Sequence, residues 1–238
     1  MSGFEIGKKL AIFYDQFVEK NGYVLVLEGL GTTILLSICA FIIGVIIGTL
    51  VAIFLHKRDK NKLEKLLAWI LKIYVGFFRG TPIIVQLLFM YFVFLPLLGL
   101  GGLSALLVAV AIFGLNSGAY VSEIVRGGIL SVDRGQDEAA RALGLKSRDS
   151  MRFVVFPQAL KNAIPNLCNE FITLLKETSV ANYIAVHDLT YAFSAIANAS
   201  YETMIPYFCL AVCYLIMVIG ASSLIKIYEK RLRKSDKH

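Results

Sequence analysis

Five stretches of this chain are apolar over the length of a bilayer crossing, and no other feature narrows its fold as much. They run over residues 30–55, 80–98, 103–124, 153–175 and 205–227. A helix needs roughly 20 mostly apolar residues to cross the hydrocarbon, and it satisfies its own backbone hydrogen bonds there. The pattern predicts an all-α membrane protein with five transmembrane helices. Residues 63–98 are too long for one straight crossing at about 1.5 Å per residue. In their first part Leu63, Leu66, Leu67, Ile70, Ile73, Tyr74 and Phe77 recur at helical spacing away from Glu64, Lys65 and Lys72, which reads as an interfacial helix. The fourth stretch is expected to break at Pro157 and Pro165. At the start of the chain, Phe4, Leu10, Phe13, Phe17 and Val18 form the apolar side of another interfacial helix, and residues 1–22 lack the apolar core of a signal peptide.

Charge orients the crossings. The formal net charge of +7 comes from basic residues lying between apolar runs, so it reports membrane orientation and not nucleic-acid binding. One loop carries Lys57, Arg58, Lys60, Lys62 and Lys65, and another Arg126, Arg134, Arg141, Lys146, Arg148 and Arg152. The tail adds Lys226, Lys230, Arg231, Arg233, Lys234 and Lys237, whereas residues 95–104 have no Lys or Arg. These patterns place the N-terminus outside and the C-terminus in the cytoplasm. Lys8, Lys9 and Lys20 oppose that orientation, in the company of Glu5, Asp15 and Glu19. The expected organisation is an extracytoplasmic or interfacial segment over 1–29, a transmembrane domain over 30–228 with a cytoplasmic loop at about 133–152, and a cytoplasmic tail over 229–238. Cys39, Cys168, Cys209 and Cys213 have no metal-ligand spacing and read as small packing residues. Glu202 reads as a solvated loop charge.

The cytoplasmic loop holds a polar, alanine-rich stretch, DEAARALGLKSRDSMRFVVFP, over residues 137–157. Asp133 and Gln136 offer a capping box, Glu138 suits the positive end of the helix dipole, and Gly144 offers a left-handed stop. A helix of two to three turns follows, slim at Ala139, Ala140 and Ala142 and apolar at Leu143 and Leu145. So short a helix needs something to pack against. From these properties a surface connector and a docking helix stand level. Glu138-Ala139-Ala140, Gly144 and Val154-Val155-Phe156-Pro157 resemble the E-A-A-x-x-x-G-x9-I-x-L-P signature of ABC importer permeases, with Val for Ile and Phe for Leu. The resemblance implies a coupling helix in which Asp137, Glu138, Ala139, Ala140, Leu143, Gly144 and Leu145 meet a groove of an ATP-binding subunit.

Arg79-Gly80-Thr81-Pro82-Ile83-Ile84-Val85-Gln86, the run Asn116 to Gly128 (NSGAYVSEIVRGG), Asn169-Glu170 and Lys176-Glu177-Thr178-Ser179 further resemble permeases of the polar amino acid uptake family. This resemblance implies the type I ABC importer permease fold in a bacterial cytoplasmic membrane. It also implies a second permease subunit, identical or a close paralogue, two ATPase subunits that bind ATP and Mg, and an extracytoplasmic solute-binding protein. No cofactor is expected in this chain. Arginine-type relatives carry Asn-Glu at 169–170 and glutamine-type relatives Asn-Gln, so a cationic substrate is expected, with glutamine, glutamate or cystine as alternatives.

Read physically, a central Arg79 costs about 2.5–3.5 kcal/mol on insertion scales and needs compensation, either as an anchor capping carbonyls or as a gate. Gly80, Thr81 and Pro82 read as a bend. Asn116, Ser117 and Tyr120 lie on adjoining turns, with Asn116 and Tyr120 on one face expected to point inward, for packing or for the pathway. Glu170, midway along an apolar span, must be protonated, paired or hydrated. It is assigned to a substrate pathway with Asn169, Thr173, Asn116, Ser117 and Tyr120, the alternative being a structural carboxylate bonded to a neighbouring span such as the one bearing Arg79. The chain has no Gly-x-x-x-x-Gly-Lys, His-Glu-x-x-His or Gly-x-Ser-x-Gly, so an enzyme is not expected. An ion-coupled secondary transporter using Glu170 is a rival, but the internal duplication common in such folds is not visible.

Overall fold

The computed structural model describes residues 3–57 and 60–235, with side chains over 6–57 and 60–228. Arg58 and Lys237, and the side chains of Phe4, Glu5, Lys230, Arg231, Arg233 and Lys234, lie outside the described residues. Within them, the chain is helices joined by turns. α1 (Gly3–Tyr14) runs through a π turn into α2 (Gly22–His56), and α3 (Lys62–Gly80) follows. α4 (Ile83–Phe89) continues through another π turn into α5 (Leu95–Leu97), before α6 (Ala105–Leu130) and the short α7 (Arg134–Ala142). α8 (Ser147–Ser150) leads by a π turn into α9 (Phe156–Glu177), then a 3-10 turn (Thr178–Ile184), α10 (Leu189–Ser200) and α11 (Met204–Ser235).

Among the described residues α2, α6 and α11 are long and apolar enough to cross a membrane, and α3 together with the α4–α5 run meets the same measure across a bend of 110°. The predicted bend is therefore present. α9 carries Lys161, Glu170, Lys176 and Glu177 and is less apolar, but its 22 residues reach about 33 Å. It does not break at its prolines: Pro157 sits in the first turn and Pro165 inside a continuous helix. A first-turn proline has no helical hydrogen bond to lose, and packing of Ala159, Ala163 and Leu167 against Val121, Val125 and Ile129 holds the rest. α10 was not expected from the sequence, because twelve residues are too few to cross.

α2 and α6 meet along a seam of small residues. A Cβ at Gly44 would lie 2.7 Å from the Ser117 hydroxyl, and one at Gly48 2.6 Å from the Gly118 carbonyl oxygen. From the other side, a Cβ at Gly114 would lie 2.7 Å from Ile43. In lipid there is no hydrophobic drive between helices, so close backbone approach and dispersion must supply the association. α10 is tied to α2: the Leu189 backbone N–H donates to the buried Thr33 hydroxyl at 3.1 Å, and Asp188 caps α10 by accepting from the Tyr191 N–H at 2.8 Å. α1 folds back on this end, with Phe13 and Phe17 stacked at 5.2 Å and packed on the cluster around Phe193. Glu202 is not a free loop charge. It pairs with Lys9 at 3.0 Å, and that hydrogen bond holds its carboxyl below the usual carboxylate range.

Candidate functional site

Pro82 has no N–H, so the Phe78 carbonyl four residues before it is left without its helical donor. Two side-chain amides resolve this. Gln86 Nε2 donates to the Phe78 and Thr81 carbonyls, each at 2.9 Å, and Asn116 Nδ2 donates to the same Phe78 carbonyl at 3.2 Å and to Gln86 Oε1 at 3.0 Å. Thr81 adds a hydroxyl bond to the Phe77 carbonyl at 2.8 Å. Asn116 is thus committed to the bend between α3 and α4. The turn falls on Thr81 and Pro82, both extended, while Gly80 is still helical with open space around it.

Arg79 lies 3.9 Å from Glu123 of α6, with its guanidinium 5.6 Å from the centre of the Tyr120 ring. Arg126 holds the same Glu123 by bonds of 2.6 and 3.0 Å. Arg79 faces a carboxylate of α6, and the neighbouring span that bonds Glu170 is α6, through Ser117, and not the one bearing Arg79. Tyr120 also departs from the shared inward face: it is 37% exposed under Arg79, whereas Asn116 is 4% exposed. Asn116 is enclosed by the Phe78 carbonyl and Gln86 of the bend, whereas Tyr120, one turn on, is covered by the Arg79 guanidinium.

Glu170 is half-buried, and its Oε1 accepts a hydrogen bond of 3.0 Å from the fully buried Ser117 hydroxyl. No cation pairs with it among the described residues. Beside it on α9, Asn162, Asn166, Asn169, Thr173 and Lys176 recur at three- and four-residue spacing and are all exposed. That spacing draws one polar lane along the helix, with Glu170 at the border between the lane and the face buried on α6. Polar groups facing lipid are costly, so this lane belongs against water or another subunit. Of the six residues assigned to the pathway, the fold brings together Glu170, Ser117, Asn169 and Thr173.

α7 spans nine residues and ends as expected on Gly144, whose φ is +88°. The Leu145 N–H bonds back to the Ala140 carbonyl at 3.2 Å and the Gly144 N–H to that of Arg141 at 3.0 Å, a closed Schellman turn. The start differs from the expected box. Asp133 caps through the Gly135 N–H at 2.7 Å, and Gln136 instead accepts from Gln158 of α9 at 3.2 Å. Asp137 accepts from the buried Ser150 hydroxyl at 2.6 Å and Ala140 is buried, so these two hold α7 to the body. Glu138, Ala139, Leu143, Gly144 and Leu145 remain exposed, and Leu143 is 86% exposed. An apolar side chain so fully presented on a rigid short helix suits a partner surface.

Ser150 and Asp188 escaped the sequence reading, and Gln86 and Glu123, though inside the quoted runs, were given no role of their own. Asp188 had a local signal, a capping residue before an apolar run. Its other oxygen, Oδ2, is buried without a hydrogen-bond partner. The neighbouring Thr190 and Tyr214 hydroxyls, 3.2 Å apart, line a cleft of about 520 Å³ between the 3-10 turn, α10 and α11.

The described residues thus form a helical membrane domain with a polar lane along one helix and a short helix that leaves Leu143 exposed. Residues 40–234 match the family of binding-protein-dependent transport system inner membrane components, and the chain belongs to that family, with the all-α type I ABC importer permease fold. It is 38% identical over 207 residues to a protein of Rickettsia felis provisionally named a glutamine transport system permease protein, covering 87% of this chain and 92% of the relative. It is 35% identical over 211 residues to the arginine transport system permease protein of Bacillus subtilis, covering 89% and 94%. A crystal structure of an amino acid ABC transporter with histidines superposes with a TM-score of 0.81 at 37% identity, over 90% of this chain and 98% of that one. Inward-facing structures of a methionine ABC transporter share the fold, with a TM-score of 0.71 at 20% identity. The chain is an amino acid ABC transporter permease, a multi-pass membrane protein.

Proposed function

We propose that this permease imports cationic amino acids, arginine, lysine or histidine, by alternating access. Two ATP-binding subunits, which bind the ATP and Mg, dock on α7; an identical or paralogous permease completes the channel, and an extracytoplasmic solute-binding protein delivers substrate. The N-terminus lies outside and the C-terminus in the cytoplasm. The observation that carries the substrate reading is Glu170, a half-buried carboxyl whose partner is the neutral Ser117 hydroxyl at 3.0 Å, beside the exposed polar lane of α9. A carboxylate there is costly without a cation, and a passing ammonium, guanidinium or imidazolium supplies one transiently. The structural relative described as an amino acid ABC transporter with histidines and the relative named for arginine support the same reading.

Glutamine is a second reading, favoured by the name of the Rickettsia felis relative; a primary amide can also donate to Glu170. Uptake of labelled arginine, lysine, histidine and glutamine into proteoliposomes holding the whole complex separates the two. Glu170→Gln is expected to keep assembly and basal ATP hydrolysis while lowering arginine and lysine uptake at least tenfold, with glutamine uptake spared. Equal loss for every amino acid would return Glu170 to a structural role, and wild-type uptake of glutamine alone would establish the second reading.

A further inference from the structure

We propose that α3 carries a binding stripe for anionic lipid headgroups, formed by Lys65, Lys72 and Arg79. The three residues recur every seven positions, close to two helical turns, so they share one face and drift by only about 20° per step. From the first to the last the stripe is roughly 21 Å long at 1.5 Å per residue, enough for more than one headgroup. All three side chains are exposed, as is Lys62 one turn before them.

The rest of α3 fixes where this stripe must lie. On one side Ala68 and Val75 are buried, and the Tyr74 hydroxyl donates to the Leu115 carbonyl of α6 at 2.5 Å. On the other, Leu66, Ile70, Ile73 and Phe77 are exposed, with Trp69 beside them. An outward apolar face with an indole at its margin belongs at the boundary of hydrocarbon and headgroups. The basic stripe runs along the edge between the packed and the apolar faces, which sets its ammonium and guanidinium groups at headgroup level.

Among the described residues, Lys62, Lys65 and Lys72 have no acidic partner, and Arg79 only shares one. Glu64, the single carboxylate of α3, is consumed by the capping box with Asn61 and by Lys57 at 2.5 Å. At the far end Arg79 stands 3.9 Å from a Glu123 that Arg126 already holds at 2.6 Å, so that group of three keeps one net positive charge. Lipid phosphates are the complementary partner at that depth. A headgroup bound along the stripe holds α3 in the membrane plane up to the bend, 110° from the α4–α5 run. This inference needs only the membrane setting and is independent of the substrate and of which way the chain is oriented.

The test uses the purified complex in nanodiscs of phosphatidylcholine carrying spin-labelled phosphatidylglycerol or spin-labelled phosphatidylcholine. The wild type is expected to restrict phosphatidylglycerol preferentially. K72Q should weaken that preference roughly fivefold, the effect of about one charge near an anionic surface, and K65Q/K72Q should weaken it further, while K65R/K72R retains it. No preference in the wild type, or an unchanged preference in K65Q/K72Q, overturns the proposal. Loss of the ATP-binding subunits from K65Q/K72Q with lipid preference intact also overturns it, and assigns the stripe to an acidic surface of those subunits.

Discussion

The α2–α6 seam and the end of α7 both depend on glycine, for opposite reasons. At Gly48 the backbone is ordinary helix but there is no room, since a Cβ would stand 2.6 Å from the Gly118 carbonyl oxygen and 2.6 Å from Val121. At Gly144 nothing lies within 4 Å of the missing Cβ, yet φ is +88°. The first glycine lets two helices touch in a medium that gives them no hydrophobic reason to do so. The second lets one helix stop, which fixes where Leu143 is presented. Side-chain volume should therefore decide the fate of the seam, whereas at α7 volume is not limiting and any residue that holds the left-handed conformation is judged by its charge.

The largest effect is expected at the seam. Gly48→Val places new atoms against a backbone carbonyl that cannot rotate away, and overpacking of this kind costs about 1–3 kcal/mol or more. Loss of folded permease on size-exclusion chromatography and a lowered unfolding midpoint in detergent check it; a wild-type midpoint would mean that α2 and α6 can part without cost. The difference is sharper at Gly144. Gly144→Asn can hold the left-handed conformation at a cost of about 1 kcal/mol or less and should leave ATP hydrolysis coupled to uptake. Gly144→Asp holds the same conformation but sets a charge beside Leu143, and is expected to lower substrate-stimulated hydrolysis severalfold with little change in the unfolding midpoint. Unchanged coupling in the Asp variant would remove this turn from the docking surface. The smallest effect belongs to Gly31, in mid-helix with neither a positive φ nor a neighbour within 4 Å of its Cβ position. Gly31→Ala should stabilise by about 0.5–1 kcal/mol, read as a slightly raised midpoint; a fall would reveal a contact made only in the assembled transporter.

Much of α7 was legible because its determinants are local. A capping Asp, a run of alanines and a terminal glycine predict a helix between 133 and 144, and it spans Arg134–Ala142. The roles inside it were less legible. Asp137 was expected to face the ATP-binding subunit but is turned to Ser150, thirteen residues on. The bend at Thr81 and Pro82 was equally readable, since proline removes a donor wherever it stands. What satisfies the freed carbonyl was not, because Asn116 comes from a helix thirty-eight residues away. Hydropathy found the crossings but could not rank their environments: α6 and α11 are both apolar, yet α6 buries Asn116, Ser117 and Phe113 while α11 leaves Phe208, Ile216 and Leu224 exposed.

By itself the sequence determined much of what depends on neighbours within about a turn: which segments suit lipid, where α7 stops, the bend at Pro82, and which charges are out of place. Only the tertiary structure decided which partner each misplaced charge receives. Arg79 and Glu170 are both expensive in an apolar setting, and composition cannot say which of them is answered from within. The rotation of α6 settles it, turning Glu123 toward Arg79 and Ser117 toward Glu170. One charge is met by a carboxylate and the other by a neutral hydroxyl, because six residues along a helix carry the two side chains to different faces.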